Sequence, residues 1–269
     1  MKSLHTLSLV LCLGVAGCAA NGPGDSGGAG GAQPSVSTMG GAENARARIH
    51  TELAAGYYAR GQYGIALSEL NMVFESDASY APAYGVLALV RAELREDKQA
   101  EEAFRKAISL QPDFSEARNN FGHYLCQKGR ADEGLGYFES ALKNPLYSTP
   151  EKALANAGAC SLRKGDVEGA ERYLTRALRY APDLPMAIQA MADVDFRQGR
   201  YLASRIKLQR LAERGDLSAQ ALWLGIRAER MLGDRSAEAS YEAQLRRRYP
   251  EAMQTQWLIM GQYDQLGVH

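Results

Sequence analysis

The sequence predicts an all-α protein, a superhelix of about six helix–turn–helix repeats closed by a short C-terminal helix. Three observations predict it. After residue 40 Ala, Leu, Glu, Arg and Gln dominate while β-branched residues are sparse, a mixture that favours helix. Small residues recur at a spacing of 34 across most of the chain. Gly or Pro punctuates each unit where a hairpin of helices needs a turn or a stop.

The first forty residues stand apart from that pattern. Lys2 supplies a positive start, and Leu4 to Leu13 is an apolar run of about ten residues, short of the roughly 18 that a spanning helix needs. It ends in Val15-Ala16-Gly17-Cys18, which resembles a bacterial lipobox, where small residues precede a Cys that is acylated and becomes the first residue. The expectation is a signal peptide over 1–17 and a lipid on Cys18; the alternative is an ordinary secretory signal that contains a Cys. Residues 18–42 are rich in Gly, Ala and Ser and can bury no core, so they are expected to form a flexible tether. Ala19, rather than Asp, follows the Cys. By resemblance to lipoprotein sorting, this implies the outer membrane with the domain facing the periplasm. The membrane is then touched only through the anchor, which with two or more acyl chains is durable.

The repeat domain is expected over 43–269. A first unit from Ala47 carries Leu53-Ala54, Tyr57, Gly61, Tyr63, Ala66 and Leu70. A second from Ala81 carries Leu87-Ala88, Ala100, Phe104, Ala107 and Pro112. The third opens at Ser115 with Phe121-Gly122, Gly129, Gly134, Phe138 and Ala141. The fourth opens at Glu151 with Gly158, Gly165, Ala170, Leu174, Ala177 and Pro182, after a two-residue insertion within Asn144 to Pro150 that should loosen the stacking. Weaker units start at Pro185 and near Ser218, and a closing helix falls around Gln254 to Gln265. Small residues at positions 8, 20 and 27, an aromatic at 24 and Pro at 32 are the signature of the tetratricopeptide repeat. Small residues let two helix backbones approach, and the bulky residue fills the space beside them. No unit buries its apolar face alone, so stacking supplies the core and leaves a concave face.

Lys plus Arg and Asp plus Glu each number 31, so no net field draws the chain to nucleic acid. His50, His123 and His269 are scattered without partners at metal spacing, and no phosphate-binding loop or G-x-S-x-G element occurs. No catalytic residue, metal, cofactor or small-molecule substrate is therefore expected; the chain reads as a binder, not an enzyme. His123 falls in a concave slot and reads as a polar groove residue. Positions 5, 9 and 12 of the first helix should line that face. In units one and two they hold Thr51, Ala55, Tyr58, Gly85, Leu89 and Ala92, a mostly apolar strip that lacks the Lys and Asn of a carboxylate clamp. Such a strip is expected to hold a partner, unless the N-terminal segment or neighbouring residues cover it. Cys126 and Cys160 lie on first helices of adjacent units. Their Cα atoms can reach the roughly 4.4–6.8 Å of a disulfide, which an oxidising compartment would close; the alternative is two separate buried thiols.

Arg118-Asn119-Asn120-Phe121-Gly122, Asn144-Pro145-Leu146-Tyr147 and Ala155-Asn156-Ala157-Gly158 go beyond a generic repeat. With Leu222-Trp223-Leu224-Gly225-Ile226-Arg227 and Arg246-Arg247-Arg248-Tyr249-Pro250, they resemble the type IV pilus biogenesis and stability family, the PilF/PilW pilotin-type lipoproteins. The resemblance implies a protein partner, the secretin subunit of the pilus machine, whose outer-membrane localisation and multimerisation the protein would promote. A general periplasmic scaffold for another envelope machine is the alternative.

Overall fold

The computed structural model describes residues 37–215 and 217–265; the expected signal peptide, Cys18 and most of the expected tether lie outside the described residues. Within them the chain forms six helix hairpins and a closing helix, with no strand. The hairpins are α1 (Ser37–Ala59) with α2 (Tyr63–Ser76), α3 (Ala81–Glu93) with α4 (Asp97–Leu110), and α5 (Ser115–Gln127) with α6 (Ala131–Leu142). Then follow α7 (Pro150–Lys164) with α8 (Val167–Tyr180), α9 (Pro185–Arg197) with α10 (Tyr201–Glu213), α11 (Ala219–Leu232) with α12 (Arg235–Arg248), and α13 (Met253–Met260). Helix α1 opens at Ser37, inside the stretch expected to be tether. Once the Ala- and Arg-rich turn after Gly41 is helical, each residue added upstream gains a hydrogen bond without a new nucleation cost.

Local chemistry sets the hairpin ends. Pro at the first or second position starts α3, α7 and α9, where the missing N–H would have had no partner. Asp166, Ser218 and Asp234 cap α8, α11 and α12 by accepting a backbone N–H. Gly61, Gly129, Gly165, Gly199 and Gly233 turn between the helices at positive φ; in the second unit Arg95 holds the same conformation at φ 63°.

The small residues at position 8 meet the bulky one at position 24. A methyl group on Gly158 would sit 2.5 Å from Leu174 Cγ, and one on Gly225 would sit 3.1 Å from the Tyr241 ring. Between units the core is a string of junctions. Phe104 is fully buried and stacks on Phe121 of the next unit at 5.0 Å, and burying such a ring stabilises by about 1.5–3 kcal/mol. The insertion before α7 does not loosen its junction. Tyr147 turns inward, 7 % exposed, among Phe138, Ala141, Ala153 and Ala157. Asn144 fixes the loop by donating to the Asp113 carbonyl and to Ser115 Oγ, both at 3.1 Å.

Ion pairs brace the fifth unit internally and tie it to the sixth. Buried Asp195 accepts from Arg200 at 2.7 Å and Lys207 at 2.5 Å, and Arg205 Nε donates to buried Glu229 at 2.9 Å. Helix α13 closes the end of the stack. Trp223 lies against Trp257 at 5.8 Å and Tyr263 at 5.9 Å, and its Nε1–H donates to the Gln265 carbonyl at 3.0 Å.

Candidate protein-binding face

The first helices of successive units (α1, α3, α5, α7, α9 and α11) approach one another, whereas the second helices do not. Close inner helices and splayed outer ones make the first helices the floor of the concave side.

The apolar strip expected in units one and two is narrower than its six residues. Thr51 is buried and spends its hydroxyl on the Ala47 carbonyl of its own helix at 2.8 Å. Gly85 is also buried, because the Phe114 ring at the entrance to α5 comes within 3.5 Å of where a side chain would begin. Neither can be offered to a partner. In these two units position 5 lies too near the seam with the following unit. What remains open is Ala55, which is exposed, with half-buried Tyr58, Leu89 and Ala92. Tyr58 and Leu89 also pack against the cores below them. Burial, then Glu93 and Tyr63, raise the Tyr58 phenol above its ordinary pKa, so it stays a neutral donor.

Further along, the concave floor turns polar. Asn119 of α5, Asn156 of α7, Gln189 of α9 and Gln220 of α11 place one side-chain amide on each successive first helix. Asn156 donates to Asn119 at 3.0 Å and Gln189 to Gln220 at 3.4 Å, while Ser218 donates to Gln189 at 2.8 Å. Asn156, Gln189 and Gln220 line a depression of about 180 Å³ together with His123, Arg163 and Met186, while Asn119 is buried beneath Asn156. His123 sits in the concave slot expected of it; its edge is open to solvent, but desolvation by the surrounding groove, then Arg163, push its pKa down. Arg163 donates to the Cys126 carbonyl at 3.4 Å, and desolvation lowers its pKa. The amide row was missed because, counted from the start of each unit, Asn119 and Gln189 fall at position 5, Asn156 at position 6 and Gln220 at position 3. His50, by contrast, ties α1 to α2 through Glu69 at 2.7 Å; His269 lies outside the described residues.

Cys126 and Cys160 form the floor of this depression. Their Cα atoms are 5.8 Å apart and their Sγ atoms 2.16 Å apart. Among the described residues no group of three His, Cys, Asp or Glu side chains could hold a metal ion. No described helix is long and apolar enough to cross a membrane.

Helix hairpins in this register, stacked with a concave floor of first helices, define a tetratricopeptide-repeat protein. The family model described as Tetratricopeptide repeat matches residues 81–114, the second unit. The type IV pilus assembly protein PilF of Pseudomonas aeruginosa is 30% identical over 250 residues, which is 93% of this chain and 95% of that one. The crystal structure of PilW, a widely conserved type IV pilus biogenesis factor, superposes with a TM-score of 0.70 at 32% identity, covering 79% of this chain and 98% of PilW. The structure of P. aeruginosa PilF gives 0.71 at 29% identity over 82% and 99%. The chain belongs to the PilF/PilW family of type IV pilus biogenesis tetratricopeptide-repeat proteins.

Proposed function

We propose that this protein is an outer-membrane lipoprotein that binds secretin subunits in the periplasm and promotes their delivery to the outer membrane and their multimerisation. The observation that carries this reading is the likeness to a type IV pilus assembly protein along nearly the whole of both chains. The repeat fold supports action by binding rather than catalysis, since it offers a face for another chain. The open groove of Ala55, Tyr58, Leu89 and Ala92 is the place we assign to the secretin. An apolar strip with one aromatic, open to water at the start of the stack, fits a helix or strand laid into it.

The lipobox-like Val15-Ala16-Gly17-Cys18 supports an anchor on Cys18, with the low-complexity stretch behind it as the reach between membrane and domain. In the oxidising periplasm the Cys126–Cys160 pair is then closed. Metabolic labelling with a palmitate analogue should mark the wild type and not Cys18→Ala, and the wild type should fractionate with outer membranes. Equal labelling, or a soluble wild type, would remove the anchor from the account. Affinity purification of the lipidated protein from envelope extract should bring the secretin with it; recovery of a different envelope machine in its place would favour a general scaffold.

A further inference from the structure

We propose that the concave groove of units three to six is a second binding site, separate from the apolar strip of units one and two. Its ligand is an extended peptide segment that carries an acidic side chain, held by the amide row and by Arg163.

The amides argue for a polypeptide backbone. Asn and Gln each present a donor and an acceptor, which is what an extended main chain requires of its neighbours. Asn156, Gln189 and Gln220 line the depression with one amide per first helix across three successive units, and buried Asn119 accepts from Asn156 and holds it in place. Packed helices stand about 8–10 Å apart, and an extended chain rises about 3.3 Å per residue. A peptide lying across the floor would therefore meet an amide at roughly every third residue.

Arg163 supplies the charge preference. It stands in the middle of this row, half-buried, and among the described residues its one hydrogen bond is to the Cys126 carbonyl. Among the described residues no carboxylate pairs with it, and none lines the depression. A partly desolvated guanidinium without a counter-charge favours an anion that brings one. His123 stands beside it on α5, and Met186 and the two sulfurs give the floor apolar contact for the rest of the segment. The first two units offer nothing comparable, since their open positions are Ala55, Tyr58, Leu89 and Ala92.

The test is selection from a phage-displayed library of random 12-residue peptides on the full chain, under non-reducing conditions. Fluorescence anisotropy then follows with a labelled synthetic copy of the most enriched sequence. The site requires enrichment in Asp or Glu. It also requires a roughly ten- to hundredfold loss of affinity for Arg163→Gln, and a comparable loss when the peptide's acidic residue is replaced by its amide. His123→Glu, at a position open to solvent, tests the same site without disturbing the Cys126 carbonyl, and should weaken binding at least tenfold. Ala55→Glu should leave affinity unchanged. Selected peptides without acidic enrichment, or with unchanged affinity for both Arg163→Gln and His123→Glu, would overturn the proposal. So would peptides that bind at Ala55.

Discussion

Gly122 of α5 and Gly134 of α6 cross backbone against backbone: a methyl group on Gly122 would lie 2.8 Å from the Gly134 carbonyl oxygen, and one on Gly134 would lie 2.6 Å from that of Gly122. Backbone cannot step aside as a side-chain tip can. Gly134→Ala should therefore force the hairpin apart and cost about 1–3 kcal/mol. Gly136→Ala, two residues along the same helix, meets nothing within 4 Å. It should stabilise by roughly 0.5–1 kcal/mol through helix propensity. Thermal melts of the pair check this: opposite shifts are expected, and equal shifts would contradict the crossing.

Arg95 takes the left-handed turn that Gly takes in the other five hairpins. A residue with a Cβ is strained there by about 1 kcal/mol. Arg95→Gly should raise stability by that amount or somewhat less, because glycine also gains freedom in the unfolded chain. For a chain of this size the melting temperature should rise by a few degrees at most. A fall would mean that the arginine side chain contributes more than its backbone costs.

Closing Cys126 to Cys160 links residues 34 apart. In the chain-entropy model this stabilises by roughly 3–4 kcal/mol. Mass spectrometry of exported, non-reduced protein should find no free thiol at either position, and reductant should lower the melting temperature. Two free thiols in the folded chain would remove the bridge.

The imidazole of His123 should titrate below its ordinary value of 6.5, first because the groove desolvates it and then because Arg163 faces it. The native state then binds fewer protons than the unfolded chain as pH falls. The stability tied to His123 is present above pH 6.5 and is lost as pH drops through the lower native pKa. An NMR titration of the ring, assigned through His123→Gln, should show the low value and a rise toward normal in Arg163→Gln. A value at or above 6.5 would contradict the desolvated groove.

Much of the architecture was legible because the repeat is a steric code. Gly158 facing Leu174 and Gly225 facing Tyr241 are pairs that position numbers alone predict, and the turn glycines follow from backbone sterics. The site was only partly legible. Thr51 and Gly85 occupy nominal groove positions, yet a hydroxyl satisfied by its own helix and the Phe114 ring withdraw them. Tyr147 fills a junction that an insertion should have opened, since an aromatic in a loop carries no periodicity to reveal where it points. The amide row escaped for a related reason: Asn119, Asn156, Gln189 and Gln220 do not keep one position number, although the superhelix brings them into line.

If the opening of the groove serves secretin assembly, Ala55→Glu and Tyr58→Arg should each impair it. Both would be expressed from the native locus, with folding verified by thermal melts, and detergent-resistant secretin multimers would be measured in the outer-membrane fraction. Multimers should fall sharply while the protein itself remains folded and at normal abundance. Normal multimers carried by folded variants at both positions would contradict that role.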